Sequence, residues 1–104
     1  MRIEQLLKDQ PILVVDGRNH LFIYDLEDAL TAAGADVLLA RDVGKALAYI
    51  KRFDFVACML GALPPEDHQR LVEELDGTPL LQLDDEPVPA IVARLVHMLG
   101  AGGA

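Results

Sequence analysis

What the chain has little of narrows it first. Basic residues are scarce, 9 against 17 acidic ones in 104 residues, so the formal net charge is -8. A surface of that sign repels nucleic acid and anionic membranes unless a basic patch compensates. The cations are scattered, with no cluster beyond Lys51-Arg52. There is one cysteine, Cys58, which excludes an internal disulfide, and its place inside an apolar run reads as inert packing. No apolar segment reaches the roughly 18 residues a membrane helix needs, and no leader pattern opens the chain. These absences set the expectation of a cytoplasmic protein without nucleic-acid or membrane partners. Gly61 and Gly77 stand alone, so neither familiar phosphate-cradling glycine loop is present. No internal repeat occurs, and low complexity is confined to the last residues, Gly-Ala-Gly-Gly-Ala.

What is present is a core. Hydrophobic residues make up 52% of the chain, enough for one globular domain of this length. The organising stretch is Pro11-Ile-Leu-Val-Val-Asp16-Gly17, four consecutive apolar residues running into a carboxylate and a glycine. An apolar run without polar alternation is the pattern of a strand buried on both faces. Functional groups of such sheets gather where strands end, so Asp16 belongs at the rim of a crevice.

Downstream, strand and helix patterns alternate. Helical spacing of Ile23, Leu26, Leu30 and Ala33 predicts a helix over residues 21–33, closed by Gly34. A short strand follows over residues 35–40, then a helix over 44–52 and a continuously apolar strand over 55–60. Pro64-Pro65 presets a helix over 66–75, with Glu66 and Asp67 well placed in its first turn. A fourth strand over 78–83 and a helix over 88–99 complete the body. Residues 1–10 form an N-terminal extension with Ile3, Leu6 and Leu7 at helical spacing, residues 11–99 the domain, and 100–104 a flexible tail. Four alternations with short connections predict an α/β fold, a doubly wound parallel sheet of four strands in the order 2-1-3-4, with the crevice between strands 1 and 3.

Several pieces resemble the receiver domain of two-component response regulators, the CheY-like, flavodoxin-like family. Pro11-Ile-Leu-Val-Val-Asp16 is similar to that family's first strand, and Asp25-Leu-Glu-Asp-Ala-Leu30 with Ala33-Gly34-Ala35 to its first helix and turn. Phe53-Asp54-Phe-Val is similar to the approach to its third strand. The resemblance implies a set of groups: an acidic pair after strand 1 for magnesium, an aspartate ending strand 3 to accept phosphate, a hydroxyl residue after strand 4 and a lysine after strand 5. Hard oxygen ligands hold the cation, the carboxylate attacks phosphorus, and the lysine neutralises the charge.

This chain departs from that set at each place that can be aligned. Asp16 and Gly17 fall on the acidic pair, so one carboxylate is missing. Counting from Asp54 puts Met59 on the phosphoacceptor, and counting back from Leu63-Pro64 puts Leu60 there; no acid occurs between Asp54 and Glu66. The chain is also shorter than the family by about one strand-helix unit. If residues 78–83 are the fifth strand, which suits Pro79-Leu-Leu-Gln82 and the terminal helix better, Leu83 replaces the lysine and Asp84 the proline after it; if they are the fourth, the hydroxyl position falls near Asp84.

The resemblance therefore implies a stand-alone, phosphorylation-incompetent pseudo-receiver: not an enzyme, without cofactor or metal, acting by docking. Its degenerate pocket comprises Asp16, Gly17, Met59, Leu60, Leu83 and Asp84. The partners implied are a histidine kinase, a phosphotransfer protein or another regulator, with a homodimer as a further form. A sheet that ends early exposes an edge, which places the partner surface on Leu81, Leu83, Ile91, Leu95 and Met98. The competing readings are a small-ligand binder or enzyme using the Asp16 crevice on the same scaffold, and a structural assembly subunit. Arg18 alone holds phosphate poorly, which counts against the first. A metal on Asp16 with Asp84, Asp85 or Glu86 is outweighed by an acidic loop capping the last helix. His20 lacks a neighbouring nucleophile or ligand spacing, and His68 and His97 are expected to face solvent.

Overall fold

The computed structural model describes residues 9–16, 21–61, 63–83 and 86–100, with the side chains of residues 21, 22 and 100 excepted. The elements are β1 (Pro11–Val15), α1 (Leu21–Ala32), β2 (Asp36–Ala40), α2 (Val43–Arg52), β3 (Ala57–Leu60), α3 (Pro65–Glu74), β4 (Leu80–Gln82) and α4 (Val88–Gly100). All pairings are parallel, and the sheet order is β2-β1-β3-β4, as expected.

The central strands explain why no polar alternation is seen. Ile12 and Val14 of β1, with Ala57 and Met59 of β3, join one core cluster with Ile23, Leu26, Leu30, Ile91 and Leu95 of α1 and α4. Leu13 and Val15, with Cys58 and Leu60, join the opposite cluster with Ala46, Leu71 and Leu75 on the α2 and α3 side. Successive strand side chains point to opposite faces, so two helix layers demand apolar residues at every position. The right-hand rule for crossovers accounts for the layering: stepping from β1 out to β2 and then back past β1 to β3 sends α1 and α2 to opposite faces.

Helix ends are set locally. Asp42 caps α2, its carboxylate accepting from the Lys45 N–H at 2.7 Å. Pro65 opens α3 with Glu66 and Asp67 in the first turn. After α1, Gly34 adopts φ 98°, its N–H reaches Thr31 O at 2.9 Å, and the Ala35 N–H reaches Leu30 O at 3.1 Å. That is a Schellman closure, which needs a residue without a Cβ penalty at the left-handed position.

Two strands are shorter than the sequence pattern suggests. β3 begins at Ala57, not Phe55, whose ring lies tilted against Phe53 at 6.4 Å outside the ladder. β4 has three residues because Pro79 has no N–H and the Thr78 N–H closes a turn on Leu75 O at 2.8 Å. β4 lies directly beside β3, a place that both assignments of residues 78–83 share. α4 then returns to pack on α1. The predicted N-terminal amphipathic turn and the tail after Gly100 lie outside the described residues; Asp9 and Gln10 join the sheet edge, with the Asp9 N–H on Gly34 O at 3.0 Å. No helix among the described residues is long and apolar enough to cross a membrane.

Candidate functional site

The sheet's C-terminal rim is built by ladder bonds that outlast the strands. The Asp16 N–H donates to Ala40 O at 3.0 Å, extending β1 against β2. The Gly61 N–H donates to Val15 O at 2.7 Å, extending β3 against β1. Because Val15 pairs with Leu60, the next residues, Asp16 and Gly61, meet across the boundary between β1 and β3. Asp16 is 3% exposed. A methyl group at position 61 would stand 2.5 Å from Asp16 Oδ2 and 2.6 Å from its Cγ, so the carboxylate fills the space that the absent side chain leaves. Among the described residues, no buried side-chain nitrogen or oxygen lacks a hydrogen-bond partner.

Met59 and Leu60, the two positions aligned with a phosphoacceptor, are 0% and 1% exposed. They point into opposite core clusters, Met59 toward α1 and α4 and Leu60 toward α2 and α3. The residue beside Asp16 is thus Gly61, which in the sequence stands out only as an isolated glycine. A lone glycine ending an apolar run was the available signal.

The other side of the rim is held by a small polar relay, also unforeseen. Leu60 O accepts from the Leu83 N–H at 2.8 Å and from Gln82 Nε2 at 3.0 Å. Gln82 Oε1 lies 3.0 Å from His68 Nε2, an arrangement that places the imidazole proton on Nε2. His68 is therefore half-buried and engaged, not turned to solvent as expected, while His97 is exposed. The relay ties α3 to the short β4, where three ladder residues alone would hold poorly.

Leu83 is half-buried against the α1 and α4 side. Gly17, Arg18, His20, Asp84 and Asp85 lie outside the described residues. Glu86 pairs with Arg94 of α4. Among the described residues no group of three His, Cys, Asp or Glu side chains could hold a metal.

The expected partner surface needs correction. Ile91 and Leu95 are 0% exposed and Leu81 7%, so these side chains are core, packed under the sheet rather than offered to a neighbour. Leu83 and Met98 are half-buried around that cluster. The outward side of α4 instead borders an apolar groove of ≈ 620 Å³ against α1, lined by Ala29, Ala33, Val92 and Val96 among others.

Cys58 is 0% exposed, and burial pushes its thiol from 9.0 up to about 12. In the native protein at pH 8 its thiolate fraction is about a thousandfold below that of a free cysteine, so iodoacetamide should label it only after denaturation. The sign for stability follows. The folded thiol stays neutral while the unfolded one ionises, so stability is unaffected below pH 9 and falls between pH 9 and about 12. A Cys58→Ala variant should lack that part of the slope in urea titrations across this range.

No family model and no curated protein matches the sequence. Among solved structures, the fold is similar to a response regulator receiver domain protein (CheY-like) from Methanospirillum hungatei JF-1, with TM-score 0.64 and 13% identity over 90% of this chain and 96% of that one. It is also similar to the chemotaxis response regulator CheY4 of Vibrio cholerae, with TM-score 0.60 and 22% identity over 86% of this chain and 81% of that one. At these identities the likeness is one of fold: the chain has the flavodoxin/CheY-like α/β architecture.

Proposed function

We propose that the protein is a receiver-like module that takes up no phosphoryl group and works by docking, within two-component signalling, onto a histidine kinase, a phosphotransfer protein or another regulator. The observation that carries this reading is the end of β3: the side chains of Met59 and Leu60 are buried in the two core clusters, and the place beside Asp16 is filled by Gly61, a bare backbone. Phosphoryl transfer to the protein requires an oxygen nucleophile there, held in line with the leaving group. Asp16 is the buried acid at this rim, and the Gly61 close approach confines its carboxylate. Gly17 in place of a second acid fits the same reading, and with residues 78–83 taken as the fifth strand so does Leu83-Asp84 in place of the lysine side. On this account the module is cytoplasmic, without catalytic activity, cofactor or resident metal.

Incubation with acetyl phosphate or phosphoramidate and magnesium should leave the intact mass unchanged. An acid-labile gain of one phosphate would overturn the reading. Binding to purified dimerisation domains of histidine kinases, followed by calorimetry, should be indifferent to magnesium and phosphodonor, because no switch at the rim exists for them to throw.

A further inference from the structure

We propose that the α2/α3 face of the domain is a self-complementary docking surface for a second copy of this chain. The two helices are neighbours in contact on one side of the sheet, and each is 10 residues long and starts from the same rim. Their charges are opposite. α2 carries Lys45, Lys51 and Arg52, all exposed, and no acid; α3 carries Glu66, Asp67, Glu73 and Glu74, with Arg70 its one cation.

The charges are also level. Counted from each helix start, Lys45 and Asp67 are both third, Lys51 and Glu73 both ninth, and Arg52 and Glu74 both tenth. Arg70, sixth in α3, stands level with the neutral Ala48. Within the chain these groups do not neutralise one another: the ion pair Arg94–Glu86 lies on the opposite layer. Lys45 instead leans over the Tyr49 ring at 5.3 Å, and Glu73 accepts from Gln69 at 3.4 Å.

A two-fold axis running along the helices, between α2 and α3, lays α2 of one copy on α3 of the other at equal height, and the reverse. Each of the three α2 cations is then level with an α3 anion of the other copy, and the interface is isologous, so it closes at a dimer. Val72, 37% exposed, supplies apolar contact on α3. Helices about 15 Å long and about 10 Å apart make a small patch, so the association is of the weak, transient class. The formal charge of -8 opposes approach at long range. At about 0.1 M salt the Debye length is ~10 Å, so that repulsion is screened while close pairs survive; at ~1 M both are lost.

The inference is independent of the chemistry at the rim. Sedimentation equilibrium of the full chain up to millimolar protein should show monomer passing to dimer at about 0.1 M salt and monomer alone at ~1 M. Lys45→Glu/Lys51→Glu/Arg52→Glu should weaken self-association about tenfold or more, as should Asp67→Lys/Glu73→Lys/Glu74→Lys, and an equimolar mixture of the two should restore a dimer. Amide shifts of the wild type on dilution should fall on α2 and α3, which tests the face without any substitution. A monomer at every concentration, a dimer unmoved by salt or by both charge reversals, or dilution shifts confined to the α1/α4 layer would overturn the proposal.

Discussion

Met59→Asp, the substitution that writes a phosphoacceptor back at the end of β3, should cost the protein its fold instead of restoring phosphorylation. Met59 is 0% exposed and packed among Ile12, Val14, Leu26 and Ile91. Removing its thioether stem leaves a cavity that costs about 2–5 kcal/mol. Burying a carboxyl group among hydrocarbon adds several kcal/mol more, roughly 2–7. The sum is comparable with the whole stability of a domain, about 5–15 kcal/mol. Circular dichroism at 25 °C and pH 7 should show a largely unfolded chain. The pH dependence has a definite sign: burial raises the folded-state pKa of the new acid, so its penalty grows as pH rises through about 4 and the variant should be less unstable at pH 4 than at pH 7. Met59→Leu, which conserves volume, should lose less than about 1.5 kcal/mol. A cooperatively folded Met59→Asp that gained an acid-labile phosphate would mean that the rim still holds the machinery of a relay.

The second large effect is expected at Gly61. In Gly61→Val, the first added carbon alone would stand 2.5 Å from Asp16 Oδ2 and 3.0 Å from its Cβ. Overpacking of a rigid core costs about 1–3 kcal/mol, and driving a buried carboxylate from its hydrogen bonds costs about 1–3 kcal/mol more. We expect a loss of about 3–5 kcal/mol in urea unfolding for Gly61→Val, and a smaller one for Gly61→Ala. Pairing with Asp16→Gly isolates the cause, because that change removes every contacting atom of the side chain. Gly61→Ala should cost at least about 1 kcal/mol less in the Asp16→Gly background than in the wild type. Strict additivity would show that the two residues do not share the space assigned to them.

Much of this architecture could be read from the chain because its signals are local. Ile23, Leu26 and Leu30 recur at the helical period, and Val14-Val15-Asp16 shows an apolar strand ending in an acid, so the alternation of elements and the rim position of Asp16 were accessible. The same local signals misled at α4. The spacing of Ile91 and Leu95 says that this stripe is apolar, but an apolar stripe looks alike whether a partner or the protein's own sheet covers it. Here β1, β3 and α1 cover it, and 0% exposure leaves nothing for another chain. His68 was misjudged for a related reason: its partner, Gln82, lies on another element, 14 residues away.

The amino-acid sequence by itself determined the class of molecule: a double-faced parallel sheet, acidic on the outside, with Asp16 at a strand end and no nucleophilic oxygen in the stretch that forms β3. Periodicity and residue chemistry suffice for that, because each is a property of neighbours along the chain. Only the tertiary structure decided that Gly61 is what Asp16 touches, that Gln82 and His68 brace the last strand, and that the oppositely charged α2 and α3 are neighbours on one side of the sheet. Those facts depend on the register of β1 against β3 and on which face each crossover takes, and registers and crossovers arise when distant segments pack together.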